Sequence, residues 1–452
     1  MNNIILEILY NFLFLIIGMF MLNIYIKNNK LNIINILGLS HLTIFALLSL
    51  ISIINGRIVN PFTFWEITRY YLSILLTTIG IFSFNIFLPK KLRYSTEINK
   101  LLKKYLSIPV KKKFIFFTIT YIISWNIKIT FNLSAYGSGN IDRVLALPYY
   151  IVVSKQLIEI ILNGIAYIEI ALIVINKSYI KWIYHLPIII SMIILVATSR
   201  SWFLWLFVLS ILIYFWLNQK VNIKMFLKYL PIIFFIYLFL FPLIIGYRNT
   251  QVELNNENEN LAGIELYRET LIRLWKKDYS EFKMKNKENL ESRANFMEKN
   301  NLIMDEASID PMMGELFFSS ILYLIPRFFL PDKFVYFGAH SNEVIIGNYY
   351  GIPLTDISDN IPLYGYVDFL LPGCLLAGLI VSLIIYICFK IIMLLSDKFT
   401  ILATSIFAII LVTSFRVEAN YILFFSLLRN ILVIYILIML YDILRKYLLT
   451  KL

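Results

Sequence analysis

YVDFLLPGCLLAGLIVSLIIYICF, residues 366–389, carries a single charged side chain, Asp368. A helix rises about 1.5 Å per residue, so this stretch reaches about 36 Å, enough to cross a hydrocarbon core of about 30 Å. It reads as a membrane span. Cys374 and Cys388 both fall within it. Fourteen residues apart on one helix, they are separated by about 21 Å, too far for a disulfide, and they read as packing residues.

Blocks of the same kind recur on either side. Towards the C-terminus they cover about 399–414 and 421–440. Towards the N-terminus they cover about 4–26, 31–54, 66–88, 114–131, 151–175, 183–198, 202–217 and 229–245. Together they predict an all-α polytopic membrane protein with about eleven transmembrane helices. Composition agrees: of 452 residues 60% are hydrophobic and only 15% charged, whereas soluble chains are about a quarter charged. The opening MNNIILEILYNFLFLIIG has neither a basic region nor a small-residue cleavage site, so no cleaved signal is expected.

A formal charge of +13 invites a nucleic-acid reading, but the placement of the lysines opposes it. They gather in short turns between alternate spans: Lys27 and Lys30, then PKKLRYSTEINKLLKKYLSIPVKKK (89–113), then Lys177 and Lys181, then Lys220, Lys224 and Lys228, and finally Arg445, Lys446 and Lys451. Cytoplasmic loops carry this excess, which puts the N-terminus outside and the C-terminus inside. The exception among the loops is 247–365, which is acidic on balance and therefore falls outside. The chain divides accordingly into membrane helices at 1–246, a large outer loop at 247–365 and membrane helices at 366–452.

Within that loop, IELYRETLIRLWKK (264–277) places Ile264, Tyr267, Leu271, Leu274 and Trp275 on one helical face, the pattern of an amphipathic helix. LFFSSILYLI (316–325) is apolar but too short to span, and Pro326 stops it. It reads as a re-entrant or interfacial helix.

No metal or other cofactor is expected: His41, His185 and His340 are the only histidines and are scattered, and no HExxH, paired CxxC, DxD, P-loop or nucleophile elbow occurs. The cations near the outer boundary are more telling. Arg200 tips a hairpin, Arg248 follows the eighth span, Arg327 lies in YLIPRFFLPDK with Lys333, Arg416 follows the tenth span, and Arg429 lies about 12 Å inside the last one. An arginine at the bilayer centre costs about 2.5–3.5 kcal/mol even on lenient scales. Singly, Arg200, Arg248 and Arg416 could serve as interface anchors, and Arg429 could pair with Glu159 or Glu169. Together they form a set of planar cations suited to binding phosphate oxygens.

Three passages resemble the Wzy-type O-antigen and capsule repeat-unit polymerases, relatives of the O-antigen ligases. ATSRSWFLWLFVLS (197–210) is similar to the family's small-Ser-Arg hairpin. SSILYLIPRFFLPDKFVYFGAHSNEVIIGNYYG (319–351) resembles its Pro-Arg … Pro-Asp-Lys loop, and SFRVEANYILFFSLLRN (414–430) its arginine between the last two helices. An Arg-x10-Gly pattern is met by Arg327 and Gly338, but also by Arg69 and Gly80 inside the third span, where it is expected to be inert.

The resemblance implies a GT-C-like helical glycosyltransferase of the bacterial cytoplasmic membrane, acting at its outer face on undecaprenyl-pyrophosphate-linked glycans. It would work beside a flippase and a chain-length regulator, without nucleic acid. Arg200, Arg327 and Arg416 would hold the leaving pyrophosphate, with Arg248, Lys333 and Arg429 as further contacts. His340 would be the base, in competition with Glu343, Asp356 and Asp359, although a packed or solvated loop histidine is an equal alternative. Aromatic residues in FVYFG and GNYYG would stack on sugars. The alternatives are an O-antigen ligase, with the same donor chemistry, and a flippase or transporter of lipid-linked sugars.

Overall fold

A computed structural model describes residues 2–54, 62–89, 95–130, 148–176, 179–198, 201–218, 246, 249–250, 253–254, 263–276, 296–326, 329–330, 342–352, 360–416 and 420–449. These residues are helical with short connections, and no strand occurs among them. The helices are α1 (Asn2–Lys27), α2 (Ile33–Ile54), α3 (Phe64–Ser83), α4 (Thr96–Ser107) and α5 (Val110–Thr130). Then follow α6 (Tyr149–Ile175), α7 (Trp182–Thr198), α8 (Ser201–Asn218), α9 (Gly263–Lys276) and α10 (Phe296–Ile309). The last five are α11 (Glu315–Ile321), α12 (Asn342–Tyr350), α13 (Ile361–Leu395), α14 (Thr400–Ser414) and α15 (Tyr421–Leu449).

Among the described residues six helices are long and apolar enough to cross a membrane: Asn3–Lys27, Ile33–Leu50, Phe64–Ile86, Tyr150–Ile175, Ile361–Leu395 and Tyr421–Arg445. The chain is a helical membrane protein. Four further apolar helices are shorter, including Leu206–Asn218 and Thr400–Ser414. The stretch 229–245, expected to be a span, lies outside the described residues. Ile4, Leu9, Phe12, Ile16, Met19 and Phe20 of α1 are exposed, as are Ile436, Leu440 and Leu444 of α15. Contiguous apolar surface of that extent belongs against lipid.

The chain folds as two compact units. One comprises Met1–Leu101, Arg293–Phe399 and Ile410–Leu452, the other Leu102–Ser292 and Thr400–Ile409. The first unit gathers the ends of the sequence together with part of the predicted outer loop, a grouping in space rather than along the chain. Its centre is the crossing of α3 and α13. A Cβ on Gly80 would lie 2.2 Å from the Leu375 carbonyl oxygen, and one on Gly378 would lie 2.2 Å from that of Thr77. Only glycine lets two backbones approach this closely, the usual solution where lipid supplies no hydrophobic drive. Gly80 is therefore a packing residue.

Polar groups bind α1, α2 and α3 as well. Ser49 donates to Glu7 Oε1 (2.6 Å), Asn11 donates to Ser49 (2.8 Å) and Tyr71 donates to Asn11 (2.7 Å), all buried. Phe14, Leu42, Phe45, Ala46, Ile67 and Ile74 pack around them.

α13 begins five residues before the predicted span and is broken inside it. Phe369 (φ −144°, ψ 26°) and Leu370 (φ 57°, ψ −148°) leave helical geometry, and Pro372 follows. Proline removes a backbone donor and clashes with the preceding turn, which accounts for a break at this point.

In the second unit α6 packs against α5, α7 and α8. Gly164 meets the Ser405 backbone of α14, and Trp216 packs on Phe407 with ring centroids 5.5 Å apart. The helix α4 was not foreseen in the basic stretch 89–113. It is short and amphipathic, burying Ile98, Leu101, Leu102 and Tyr105. Helices occur in both predicted loop segments, as α9 and as α11 with its 3-10 continuation Leu322–Leu324, which ends before Pro326 as expected. Both cysteines are buried and free.

Candidate functional site

Arg200, Arg248, Arg327, Lys333, His340, Asp356 and Asp359 lie outside the described residues, and Glu343 falls in the first turn of α12. Arg416 and Arg429 are described, and both belong to the first unit.

α14 has only fifteen residues, and Arg416 follows its end with its N–H bonded to the Thr413 carbonyl (3.1 Å). Ser40 of α2 donates to the Ser414 carbonyl at 2.8 Å, fixing the level of this end. Ser40 is the eighth residue of the twenty-two in α2, so Arg416 stands beside the middle of α2 rather than beside its end. It lines a narrow gap with Ser40, His41, Ile44, Phe45 and Phe415 that has no room for a water molecule.

His41 is 3% exposed and packs on Phe45 at 5.7 Å. Its Nε2 has no partner, and its remaining ring nitrogen bonds the Leu37 carbonyl. In the neutral ring Nδ1 therefore carries the proton and Nε2 offers a lone pair. The sequence reading passed over His41 because an apolar run surrounds it.

Arg429 is buried, with its Nη1 3.4 Å from the Tyr323 carbonyl and its Nε and Nη2 bonded to Asn430 Oδ1 at 3.2 and 3.0 Å. It thus fixes the 3-10 end of α11 against α15. Glu169, one of the two acids considered as its partner, is bound instead by Lys113 and His185.

The Arg-x10-Gly match at Arg69 and Gly80 carries little weight, and the structure gives Arg69 a packing role of its own. Its side chain is 1% exposed, its Nη2 lies 2.7 Å from Asp305 Oδ1, and it also reaches the Asn301 carbonyl (3.3 Å) and Oδ1 (3.4 Å). A buried guanidinium needs such a partner, and α10 of the predicted loop supplies it. Arg69 therefore ties that loop to α3. Its Nε and the Nδ2 atoms of Asn300 and Asn301 are buried donors without acceptors. Asn360 donates to Asn300 Oδ1 at 3.3 Å and caps α13 through Leu363 N–H at 2.9 Å.

Asp368 stands immediately before the break in α13. Its two oxygens accept the Leu316 and Phe317 N–H groups at 3.0 Å each, which anchors the start of α11. Gly314 enters this turn with φ 94° and Met312 N–H bonds the Val367 carbonyl, so the turn is clamped to the break. Leu370 takes a positive φ that a branched side chain disfavours, and strain of this kind persists only where surrounding contacts enforce it.

Among the described residues no cluster of three metal-ligating side chains occurs. No family model, curated protein or solved structure matches the chain.

Proposed function

We propose that the chain is a polymerase of the bacterial cytoplasmic membrane that joins undecaprenyl-pyrophosphate-linked oligosaccharide repeat units at the outer face. The observation that carries this reading is Arg416, held beside the middle of α2 in a narrow gap shared with His41. A guanidinium presents a planar set of donors that suits phosphate oxygens. The sequence resemblance names the anion as a pyrophosphate.

In this reading an acceptor hydroxyl attacks the anomeric carbon of the donor. The bond to the pyrophosphate oxygen breaks, and undecaprenyl pyrophosphate leaves with the bonding pair. Negative charge grows on the leaving oxygens, so a fixed guanidinium aimed at them stabilises the transition state more than the ground state. Arg416 takes that role, with Arg200 and Arg327, and Arg248, Lys333 and Arg429 as secondary contacts. The acceptor proton passes to a base. His340 is the base expected from sequence, with Glu343, Asp356 and Asp359 as rivals, and His41 joins them through its unpartnered Nε2. The proposal includes a GT-C-like bundle of about eleven spans with the N-terminus outside, and partnership with a flippase and a chain-length regulator. An O-antigen ligase would use the same donor chemistry.

One observation favours a different class. A broken span with a buried acid at the break, as in α13 with Asp368, is a feature of transporters. The break comes after eight residues of a 35-residue helix, about halfway between its start and its middle. Transporter sites sit at the midplane, so polymerisation is the preferred reading. The test is proteoliposomes containing the intact chain and one lipid-linked repeat unit. A ladder of longer glycans supports polymerisation. Passage of the unit across the bilayer without a ladder would replace it with transport.

A further inference from the structure

The lysines of the basic stretch 89–113 are sorted by the fold. At 100° per residue, Lys100, Lys103 and Lys104 of α4 centre on a direction roughly 160° from that of Ile98, Leu101, Leu102 and Tyr105. The latter four are buried, while Lys100 and Lys103 are exposed. α5 then opens with Lys111 and Lys112 exposed and Lys113 buried.

The buried lysine is accounted for. Lys113 Nζ lies 3.4 Å from Glu169 Oε1 and donates to the Tyr179 hydroxyl at 2.7 Å, and it stands 4.1 Å from the Tyr105 ring centroid. Tyr105 donates to Glu169 Oε1 at 2.6 Å, and His185 Nε2 lies 3.1 Å from Oε2. This closed node anchors the C-terminal end of α4, the start of α5 and the start of α7 to α6. Next to His185, whose Nδ1 meets the Lys181 backbone, Lys181 is exposed, and Trp182 and Ile183 are 64% and 83% exposed. An exposed tryptophan beside an isoleucine at the foot of an apolar helix marks the headgroup level of a bilayer. The node therefore holds a set of outward lysines at that level. In residues 89–113 there are nine Lys and Arg, and Glu97, bonded to Lys100, is the only acid.

We propose that the α4–α5 elbow binds the phosphate headgroups of anionic phospholipids in the adjoining leaflet, with Lys103, Lys104, Lys111 and Lys112 as the contact set. Each lysine held near an anionic surface adds a favourable increment, and the increments weaken with salt. The apolar face of α4 is already covered by protein, so the elbow meets the bilayer through charge rather than by inserting side chains. This inference is independent of the reaction the protein catalyses.

The test uses the purified full-length chain in a non-ionic detergent, titrated with phosphatidylglycerol or phosphatidylcholine of the same acyl composition and read by native mass spectrometry. Binding of phosphatidylglycerol is expected to be at least tenfold tighter and to weaken as salt is raised. The quadruple variant Lys103→Gln, Lys104→Gln, Lys111→Gln, Lys112→Gln should lose most of that preference. A matched variant with Lys27, Lys30, Lys390 and Lys446 changed to Gln should keep it. Equal binding of the two lipids, an unchanged preference in the elbow variant, or an equal loss in the matched variant would each overturn the assignment. Preserved thermal unfolding of both variants separates loss of binding from loss of fold.

Discussion

Two sites, one in each unit, bury polar groups in opposite ways. Around Glu169 in the second unit, Tyr105, Tyr179, Lys113 and His185 converge on one carboxylate, and neither oxygen lacks a donor. Burial, followed by the Glu169 charge, pushes the Tyr105 and Tyr179 phenols up, so both remain donors through the physiological range. In the first unit Arg69 Nε, the Nδ2 atoms of Asn300 and Asn301, and His41 Nε2 are buried without partners. A saturated node is suited to holding helices together. An unsaturated one costs stability and has capacity left for a ligand.

Variants separate the two kinds of site. The largest effect is expected at the saturated node. Glu169→Ala leaves Lys113 buried without its carboxylate and should cost about 3–5 kcal/mol, read by denaturant unfolding in detergent. The double change Glu169→Gln, Lys113→Met should recover most of it, because an uncharged pair of similar volume tolerates burial better than a lone ion. If the single and double variants are equally unstable, the node is not the closed unit described.

Asp368→Ala comes next. It leaves the Leu316 and Phe317 N–H groups without an acceptor, at a cost of about 2–3 kcal/mol, and faster proteolysis near residues 310–320 is the accompanying sign. Asp305→Ala is milder, about 1–2 kcal/mol, because the Asp305 side chain is 51% exposed and water reaches the pair. His41→Phe should change stability by less than about 1 kcal/mol, since the ring stays packed on Phe45 and an unpaired polar atom disappears. The same variant should slow glycan polymerisation if Nε2 serves the reaction. Lys398→Ala removes an exposed pair with Asp442 and should cost at most about 0.5 kcal/mol. A large loss there would show that exposed charge matters as much as buried charge, and the contrast would fail.

The six long apolar helices were legible in the sequence because twenty apolar residues in a row have few other uses. Pro326 announced the end of the re-entrant segment for a similarly local reason. The start of α13 was not legible. Residues 361–365 continue into the helix behind an Asn360 cap, while the break at Leu370 depends on contacts with the 312–317 turn, which are distant in sequence. The role of Arg69 was not legible because its partner Asp305 is 236 positions away. Glu169 was recognisable as an intramembrane charge, but a list of charges does not say which lysine turns inward. Only the fold of α4 and α5 separates Lys113 from Lys111 and Lys112.

The central claim is that Arg416 binds the anionic leaving group of the reaction. Its most direct test compares the rate of ladder formation by intact, Arg416→Lys and Arg416→Met proteins in proteoliposomes, with unfolding measured on the same preparations. A loss of about 10²–10³ in Arg416→Met and a partial loss in Arg416→Lys, with both proteins still folded, is the predicted result. Equal ladders from all three proteins would contradict it.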